Sequence, residues 1–272
     1  MLMGKDIIAM VEESIKIINR FGEQLDALFR KPEQTKTYPV ILFVHGFDMD
    51  LHEYVHSFDE ISQSLLEAGF ATLQFSFAGC GNSEGNHIEM TLERQGEQIE
   101  DMIVWLQKRK DIQKEKIGLI AQSLGVPSTL TTALKGIYKY CFISGVCISF
   151  IEGMVKKCEH GGVTIHYDGV TNVPRSHGKV TSVGPGFWKS IQSFKAIERV
   201  KQLNTPTLFI HGDLDEKVST EEVTQIFNAV PGNQKKLKVF VGGGHGICDV
   251  PQEMRQELLQ VIIRWFTSTS KN

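Results

Sequence analysis

Proline, cysteine and net charge are all scarce in this chain. Its 8 prolines and 25 glycines among 272 residues form no repeat, which excludes a collagen-like or low-complexity protein. The five cysteines, at positions 80, 141, 147, 158 and 248, are odd in number and scattered. They predict reduced thiols in a cytoplasmic protein, not a disulfide framework. Basic and acidic residues nearly balance at 29 and 32, for a net charge of −3. A chain built to grip nucleic acid phosphates would carry an excess of the former. No run approaches the roughly 18 apolar residues of a membrane helix. The amino terminus offers only Ile7 to Val11 before Glu12 and Glu13 interrupt it, too short for the core of a secretory leader. Neither a nucleic acid nor a membrane span is therefore expected. What the chain does have is 41% hydrophobic residues, enough for a sizeable core.

Those residues fall into an alternating pattern. Val40 to Val44 is a continuous apolar run, the mark of a strand buried on both faces. Further strands are expected at Phe70–Phe75, Ile117–Ala121, Tyr140–Val146, Thr207–Ile210 and Leu237–Val241. Between them, Phe58, Ile61 and Leu65 recur at helical spacing, as do Leu92, Ile99, Met102, Ile103 and Leu106. Helices are also expected at Leu124–Lys135 and Glu221–Ala229, and a last one with Met254, Leu258, Val261, Ile262 and Trp265 on one stripe. Strands and helices alternating in this way predict an α/β protein with a mostly parallel sheet covered on both faces. Two parts break the pattern. Ser14 to Phe29 reads as a hairpin around Arg20-Phe21-Gly22. Residues 147–195 show no clear period, and an insertion of that size is usually functional, such as a lid.

Ala121-Gln122-Ser123-Leu124-Gly125 stands where a strand ends and a helix begins. A serine nucleophile needs that sharp bend, which exposes its hydroxyl at a helix N-terminus and demands small residues two before and two after it. Ala121 and Gly125 are small. Ala121 departs mildly from the usual glycine, and a helix N-cap serine is the alternative reading. A base and an acid should follow at later strand ends, the acid first. His211-Gly212-Asp213-Leu214-Asp215 ends one strand with two candidate acids, and Gly242-Gly243-Gly244-His245 ends the last with a histidine. Strand C-terminal ends are where an open α/β sheet places its site. The oxyanion would be held by backbone N–H groups, one at Leu124 and one at Phe47 in the loop after Val44. His45 is expected to be structural.

Together these residues resemble the α/β-hydrolase superfamily over nearly the whole chain. His45-Gly46-Phe47 is similar to its oxyanion loop, and Phe77-Ala78-Gly79-Cys80-Gly81-Asn82-Ser83-Glu84-Gly85 to a glycine-rich loop of its esterase, acylglycerol lipase and serine aminopeptidase branches. Ala78 and Cys80 depart from that loop, where the family has Arg or Asn and His. Gly212-x-x-Asp215-x-x-Val218 is similar to the family's acid motif, and so favours Asp215 over Asp213. Gly186-Phe187-Trp188 resembles the cap of bacterial feruloyl (cinnamoyl) esterases. The resemblance implies an α/β-hydrolase fold with a core of residues 1–146 and 196–272 and a short cap, 147–195, after the sixth strand. It implies a Ser123–Asp215–His245 triad cleaving a carboxylic ester of small or medium, aromatic-type acyl groups, with a small-molecule acyl substrate and water as partners. Phe150, Asp168, Phe187 and Trp188 are candidates for the pocket, and Tyr167 beside Asp168 for a cap contact. The mechanism calls for no metal and no cofactor, and a homodimer is compatible with it. A serine aminopeptidase, a thioesterase, a monoacylglycerol lipase or a non-catalytic ligand-binding protein of this fold are the alternatives.

Two further patterns compete. His52-Glu53-Tyr54-Val55-His56 matches HExxH, which on a helix binds zinc. No third ligand follows at a known spacing, so a solvated loop beside the substrate mouth is the preferred reading. Cys158, His160, His166 and His177 match no common zinc spacing and read as solvated residues of the insertion.

Overall fold

The computed structural model describes residues 9–33, 37–132, 134–145, 148, 150–175 and 179–268. Strands β1 (Met10–Ile18) and β2 (Gln24–Pro32) form an antiparallel hairpin, longer at both ends than the alternation of side chains predicts. Then follow β3 (Tyr38–Val44), α1 (Ser57–Glu67), β4 (Ala71–Phe75), α2 (Leu92–Lys108), β5 (Ile112–Gln122), α3 (Gly125–Leu130) and β6 (Ile137–Ile143). After β6 come α4 (Phe150–His160), β7 (Thr171–Pro174), β8 (Val180–Val183), α5 (Pro185–Ser193) and α6 (Ala196–Val200). The chain closes with β9 (Thr207–Gly212), α7 (Thr220–Ala229), β10 (Lys235–Phe240) and α8 (Gln252–Thr267).

Eight strands make one sheet in the order β1-β2-β4-β3-β5-β6-β9-β10. β2 joins β4 antiparallel, and every pairing from β4 to β10 is parallel. A strand puts successive side chains on opposite faces, and a parallel sheet buries both. In β3, Leu42 and Val44 enter one core with Ile99, Met102 and Leu106 of α2. Ile41 and Phe43 enter the other, against Phe58, Ile61 and Leu65 of α1 and Leu258 and Ile262 of α8.

Two expectations are corrected. The helix after Leu124 ends at Leu130, not near Lys135. Ser128, Thr129 and Thr131 turn their hydroxyls onto the carbonyls of Leu124, Gly125 and Ser128, a local bond that competes with helix continuation. The stretch 147–195 is not irregular. It holds α4, a separate hairpin of β7 and β8, and α5, packed as a third apolar cluster with Phe47, Met90 and Leu124. The short strands there are too brief to leave a period. Cys80, Cys141, Cys158 and Cys248 are unpaired and buried, while Cys147 lies outside the described residues. Among the described residues, no helix is long and apolar enough to cross a membrane.

Candidate active site

Ser123 follows β5 with φ 51°, a left-handed conformation that a non-glycine residue adopts only under constraint. Its N–H donates to the Ile143 carbonyl at 2.9 Å, which ties the turn to the end of β6. The helix that starts at Gly125 must pass close beneath β3. A Cβ on Gly125 would lie 2.6 Å from the Val44 carbonyl oxygen and 2.7 Å from that of His45, so the small residue is a steric requirement.

His245 emerges from the turn after β10 and sets Nε2 2.9 Å from Ser123 Oγ. Its Nδ1 lies 2.8 Å from Asp215 Oδ2 and 3.0 Å from Oδ1. An ionised carboxylate only accepts, so Nδ1 carries the proton and Nε2 is left to accept the serine hydroxyl. Asp215 is buried just past β9 and also accepts from the backbone N–H groups of Lys217 at 2.9 Å and Val218 at 3.1 Å. Burial pushes its pKa up, but the hydrogen bond and charge of His245 and those two N–H groups outweigh it and hold the carboxyl below its ordinary value. Asp213, the other candidate acid, is exposed and caps the Gly242 N–H at 2.6 Å. A Cβ on Gly212 would meet the Gly243 carbonyl oxygen at 2.1 Å, so glycine there lets the acid loop and the histidine loop touch.

The loop after β3 is held from several sides. His45 is fully buried and neutral: Nδ1 donates to the Gly46 carbonyl at 2.8 Å, Nε2 accepts from Phe77 N–H at 3.0 Å, and burial pushes its pKa down to about 4. Arg175 donates to the Phe47 carbonyl at 2.8 Å and lies over the Phe47 ring, which stacks on Phe187 at 5.5 Å. Thr181 bonds the neighbouring Asp48 carboxylate. Among the described residues, neither the Phe47 nor the Leu124 N–H has a backbone or side-chain acceptor.

Glu53 is the residue that sequence reasoning misplaced. It is buried, with φ 60°, and its carboxylate accepts the Gly46 N–H at 2.6 Å and the Tyr54 N–H at 3.1 Å. Burial raises its pKa to about 7. The solvated-loop reading holds for the exposed Tyr54 and Val55 but not for this carboxyl. The HExxH segment is not an α-helix but a kinked single 3-10 turn with Val55 and His56 left-handed, and Glu53 bonds the Gly46 and Tyr54 N–H groups rather than sharing a site with the two histidines. His52 and His56 both aim Nδ1 at Asp59 Oδ2, at 2.8 and 2.9 Å. These three could share a metal ion, as could Asp48, Cys80 and His87. Of the four residues read as solvated, His160 and His166 are exposed, Cys158 is instead buried in the third apolar cluster, and His177 lies outside the described residues.

A cavity of about 580 Å³ opens over Ser123 and His245. Its wall includes Gly46, Phe47, Glu53, Lys157, Arg175 and Lys217. The aromatic wall expected from the sequence is largely absent: Phe187 and Trp188 are fully buried beneath it in the third apolar cluster, where Phe150 also packs. Trp188 donates to Thr171 Oγ1 at 3.1 Å, and Tyr167 meets its ring edge-on. Asp168 sits on an exposed loop in a separate shallow depression. These side chains pack off the main sheet in one cluster with Phe47, Met90, Leu92 and Leu124. His211, which opens the acid motif and was given no role of its own, is buried 3.9 Å from Asp215 Oδ2.

A family model described as the prolyl oligopeptidase family matches residues 56–272. The chain belongs to the prolyl oligopeptidase family. Its membership supports a hydrolase. An uncharacterized 31.7 kDa protein in the traX–finO intergenic region of Escherichia coli is 26% identical over 170 residues, 61% of this chain and 58% of that protein. The match thus spans little more than half of that curated relative. Among solved structures, this family member is similar to Est1E from Butyrivibrio proteoclasticus with ferulic acid bound, at TM-score 0.76 and 20% identity over 92% of this chain and 99% of the other. It is also similar to the esterase domain of a Rhodothermus marinus protein, at TM-score 0.69 and 19% identity over 94% and 97%. An α/β hydrolase, GrgF from a Penicillium species, superposes at TM-score 0.75 with 15% identity over 95% and 98%. These likenesses show the α/β-hydrolase fold, as the sequence motifs imply.

Proposed function

We propose that this chain is a serine hydrolase that cleaves a carboxylic ester of a small or medium acyl group through an acyl-enzyme. The supporting observation is the unbroken hydrogen-bonded line from Ser123 Oγ through His245 to Asp215, starting from a strained serine at a helix N-terminus. In the first step Ser123 Oγ attacks the acyl carbon while its proton passes to His245 Nε2. The Phe47 and Leu124 N–H groups hold the oxyanion. Each such donor contributes about 3–4 kcal/mol to the barrier reduction. Collapse breaks the ester C–O bond, and the leaving alkoxide takes the proton from His245. Water then attacks the acyl-enzyme, gives a proton to His245 and releases the acid, and the proton returns to Ser123. In this reading residues 147–195 act as the cap, with Lys157 and Arg175 facing the substrate.

The cavity wall favours an ester over the free amino terminus of a peptide. An aminopeptidase must offset a substrate ammonium, but here four cations, Lys157, Arg175, Lys179 and Lys217, meet three carboxyls, Asp48, Glu53 and Asp249. The test is a p-nitrophenyl ester series from two to twelve carbons, with methyl ferulate and amino-acid p-nitroanilides alongside. Wild type should cleave the short esters, and Ser123→Ala should cleave none while melting normally. Full ester hydrolysis in the alanine variant would overturn the reading.

A further inference from the structure

Three side chains from three segments each bring one metal-binding atom to within 4.8 Å of the other two: Asp48 from the loop after β3, Cys80 from the glycine-rich loop after β4, and His87 from the turn His87–Glu89 before α2. His87 carries the deciding detail. Its Nδ1 lies 3.1 Å from the Ser182 carbonyl, which only accepts, so Nδ1 holds the proton and Nε2 keeps a lone pair. That nitrogen is out of reach of solvent and, among the described residues, has no hydrogen-bond partner. A buried lone pair left unfilled is costly. A carbonyl that fixes the tautomer is also the usual support behind a metal-bound histidine. Asp48 is divided in the same way. Its Oδ2 accepts from the Thr181 hydroxyl and faces the Arg175 guanidinium at 3.8 Å, while Oδ1 lies 4.0 Å from His87 Nε2. Cys80 is buried and forms no disulfide. Desolvation, then the charges of Asp48 and Asp50, push its thiol up to about 12, and Arg175 opposes them less strongly. A field that disfavours a lone thiolate favours a cation beside it. The triad of His52, His56 and Asp59 differs, because both its ring nitrogens already bond Asp59 Oδ2.

We propose that Asp48 Oδ1, Cys80 Sγ and His87 Nε2 bind a zinc ion. Thiolate, imidazole and carboxylate together suit zinc, whereas magnesium and calcium take oxygen alone. Three protein ligands leave the fourth position to water. Asp48 gives the ion its way in, since its side chain is 34% exposed and stands on the wall of the cavity over Ser123. Binding replaces the Cys80 S–H bond by an S–Zn bond and passes the proton to solvent, while Asp48 and His87 give lone pairs they already hold. Tetrahedral zinc at ordinary bond lengths sets its ligand atoms roughly 3.3–3.6 Å apart, so the three side chains close by about 1 Å. The ion ties the loop that holds Phe47 to the glycine-rich loop and, through Thr181 and Ser182, to β8. Gly79, at φ 74°, lets the glycine-rich loop press on the His87 backbone, where a Cβ would collide. The site stands whether or not Ser123 acts as a nucleophile.

The test uses the full chain stripped of metal by a chelator, with His56→Ala as the background that removes the surface triad. Zinc added alone should bind as one equivalent per chain in calorimetry and raise the melting temperature. Cobalt(II) in its place should give a thiolate-to-cobalt charge-transfer band in the near ultraviolet, which zinc then bleaches. Cys80→Ala should abolish the band. Zinc affinity should fall at least about tenfold in both Cys80→Ala and Asp48→Asn, since losing even an outer partner of a metal site costs that much. Asp48→Asn keeps an acceptor for Thr181 on a partly exposed residue, and it carries the test alone should the buried cysteine variant not fold. A cobalt complex without the charge-transfer band, or a band that survives in Cys80→Ala, would overturn the proposal. Zinc affinity or zinc-dependent melting unchanged in Asp48→Asn would do the same. Binding present in wild type but lost in His56→Ala would belong to His52, His56 and Asp59, and the site at Cys80 would fall.

Discussion

The two walls of the cavity are built on different terms. One is made of strand ends: Ser123 after β5, Asp215 after β9 and His245 after β10, each on a turn whose backbone is tied to its neighbour. The other is made of α4 and the β7–β8 hairpin, which lie off the main sheet and rest on an aromatic layer of Phe47, Phe187 and Trp188. On the first wall the side chains of Ser123, His245 and Asp215 are hydrogen-bonded in a line. On the second, Lys157 and Arg175 stand over that packing, with Asp48 3.8 Å from the guanidinium. In the proposed reaction, the chemistry that must be preorganised would sit on the rigid sheet, and selectivity on the part that can vary without disturbing it.

The sharpest way to break this comparison is to exchange the two acids on the first wall. Asp215→Asn would lose the partner that fixes the His245 tautomer and should lower kcat by about 10⁴-fold, as such substitutions do in serine hydrolases. Asp213→Asn touches only the Gly242 N–H, so it should shift stability slightly and leave turnover near that of wild type. Equal losses in the two variants, read by ester hydrolysis at a fixed pH, would mean that the wall is not organised around Asp215.

Second in size is the layer that joins the walls. Phe187 is fully buried and stacks on Phe47, whose backbone lies beside Ser123's oxyanion position in the proposed reaction. Phe187→Ala should cost about 3–5 kcal/mol of stability in urea unfolding. It should also lower kcat, because Phe47 loses its packing partner. Lost stability with unchanged kcat would show that Arg175 and Thr181 position the loop without help from below.

How much of this was legible beforehand follows the same division. Ser123, Asp215 and His245 sit in five- to seven-residue patterns at strand ends, so their proposed roles are written locally, and the parallel sheet brings them together. Phe187 and Trp188 were visible as aromatics but not as to which side they face. Short elements such as β7 and β8, four residues each, leave no period from which a face can be read. Lys157 and Arg175 gave no signal at all, since a lone lysine in a helix reads as solvated. Glu53 was masked by a stronger pattern: the flanking histidines drew it into HExxH, whereas its partner is the Gly46 N–H seven residues upstream.

Glu53 supplies the third test, through pH. Its carboxyl ionises near 7 in the fold against an ordinary value of 4.5. Below about 4.5 both folded and unfolded chains hold the proton, and the group contributes no difference. Between 4.5 and 7 the unfolded chain ionises first, so the fold is penalised increasingly, and above 7 the full penalty of about 3 kcal/mol stands. Glu53→Gln keeps an acceptor for the Gly46 N–H and removes this titration. The melting temperature of the variant should therefore gain on wild type as pH rises through that window, whatever constant offset the lost bond to Tyr54 adds. A gap that stays flat from pH 4 to 8 would place the Glu53 carboxyl in water.

The smallest effect sharpens the comparison from the outer edge of the second wall. Asp168 is exposed with Tyr167 in a shallow depression apart from the cavity over Ser123, although its neighbours in sequence lead into the aromatic layer. A surface carboxylate away from any buried partner contributes within about 0.5 kcal/mol to stability. Asp168→Ala should accordingly leave the melting temperature, kcat and KM for neutral and charged esters unchanged within error. A rise in KM of tenfold or more would bring this loop to the substrate, and the second wall would then extend past Lys157 to a closed form in which Asp168 turns inward.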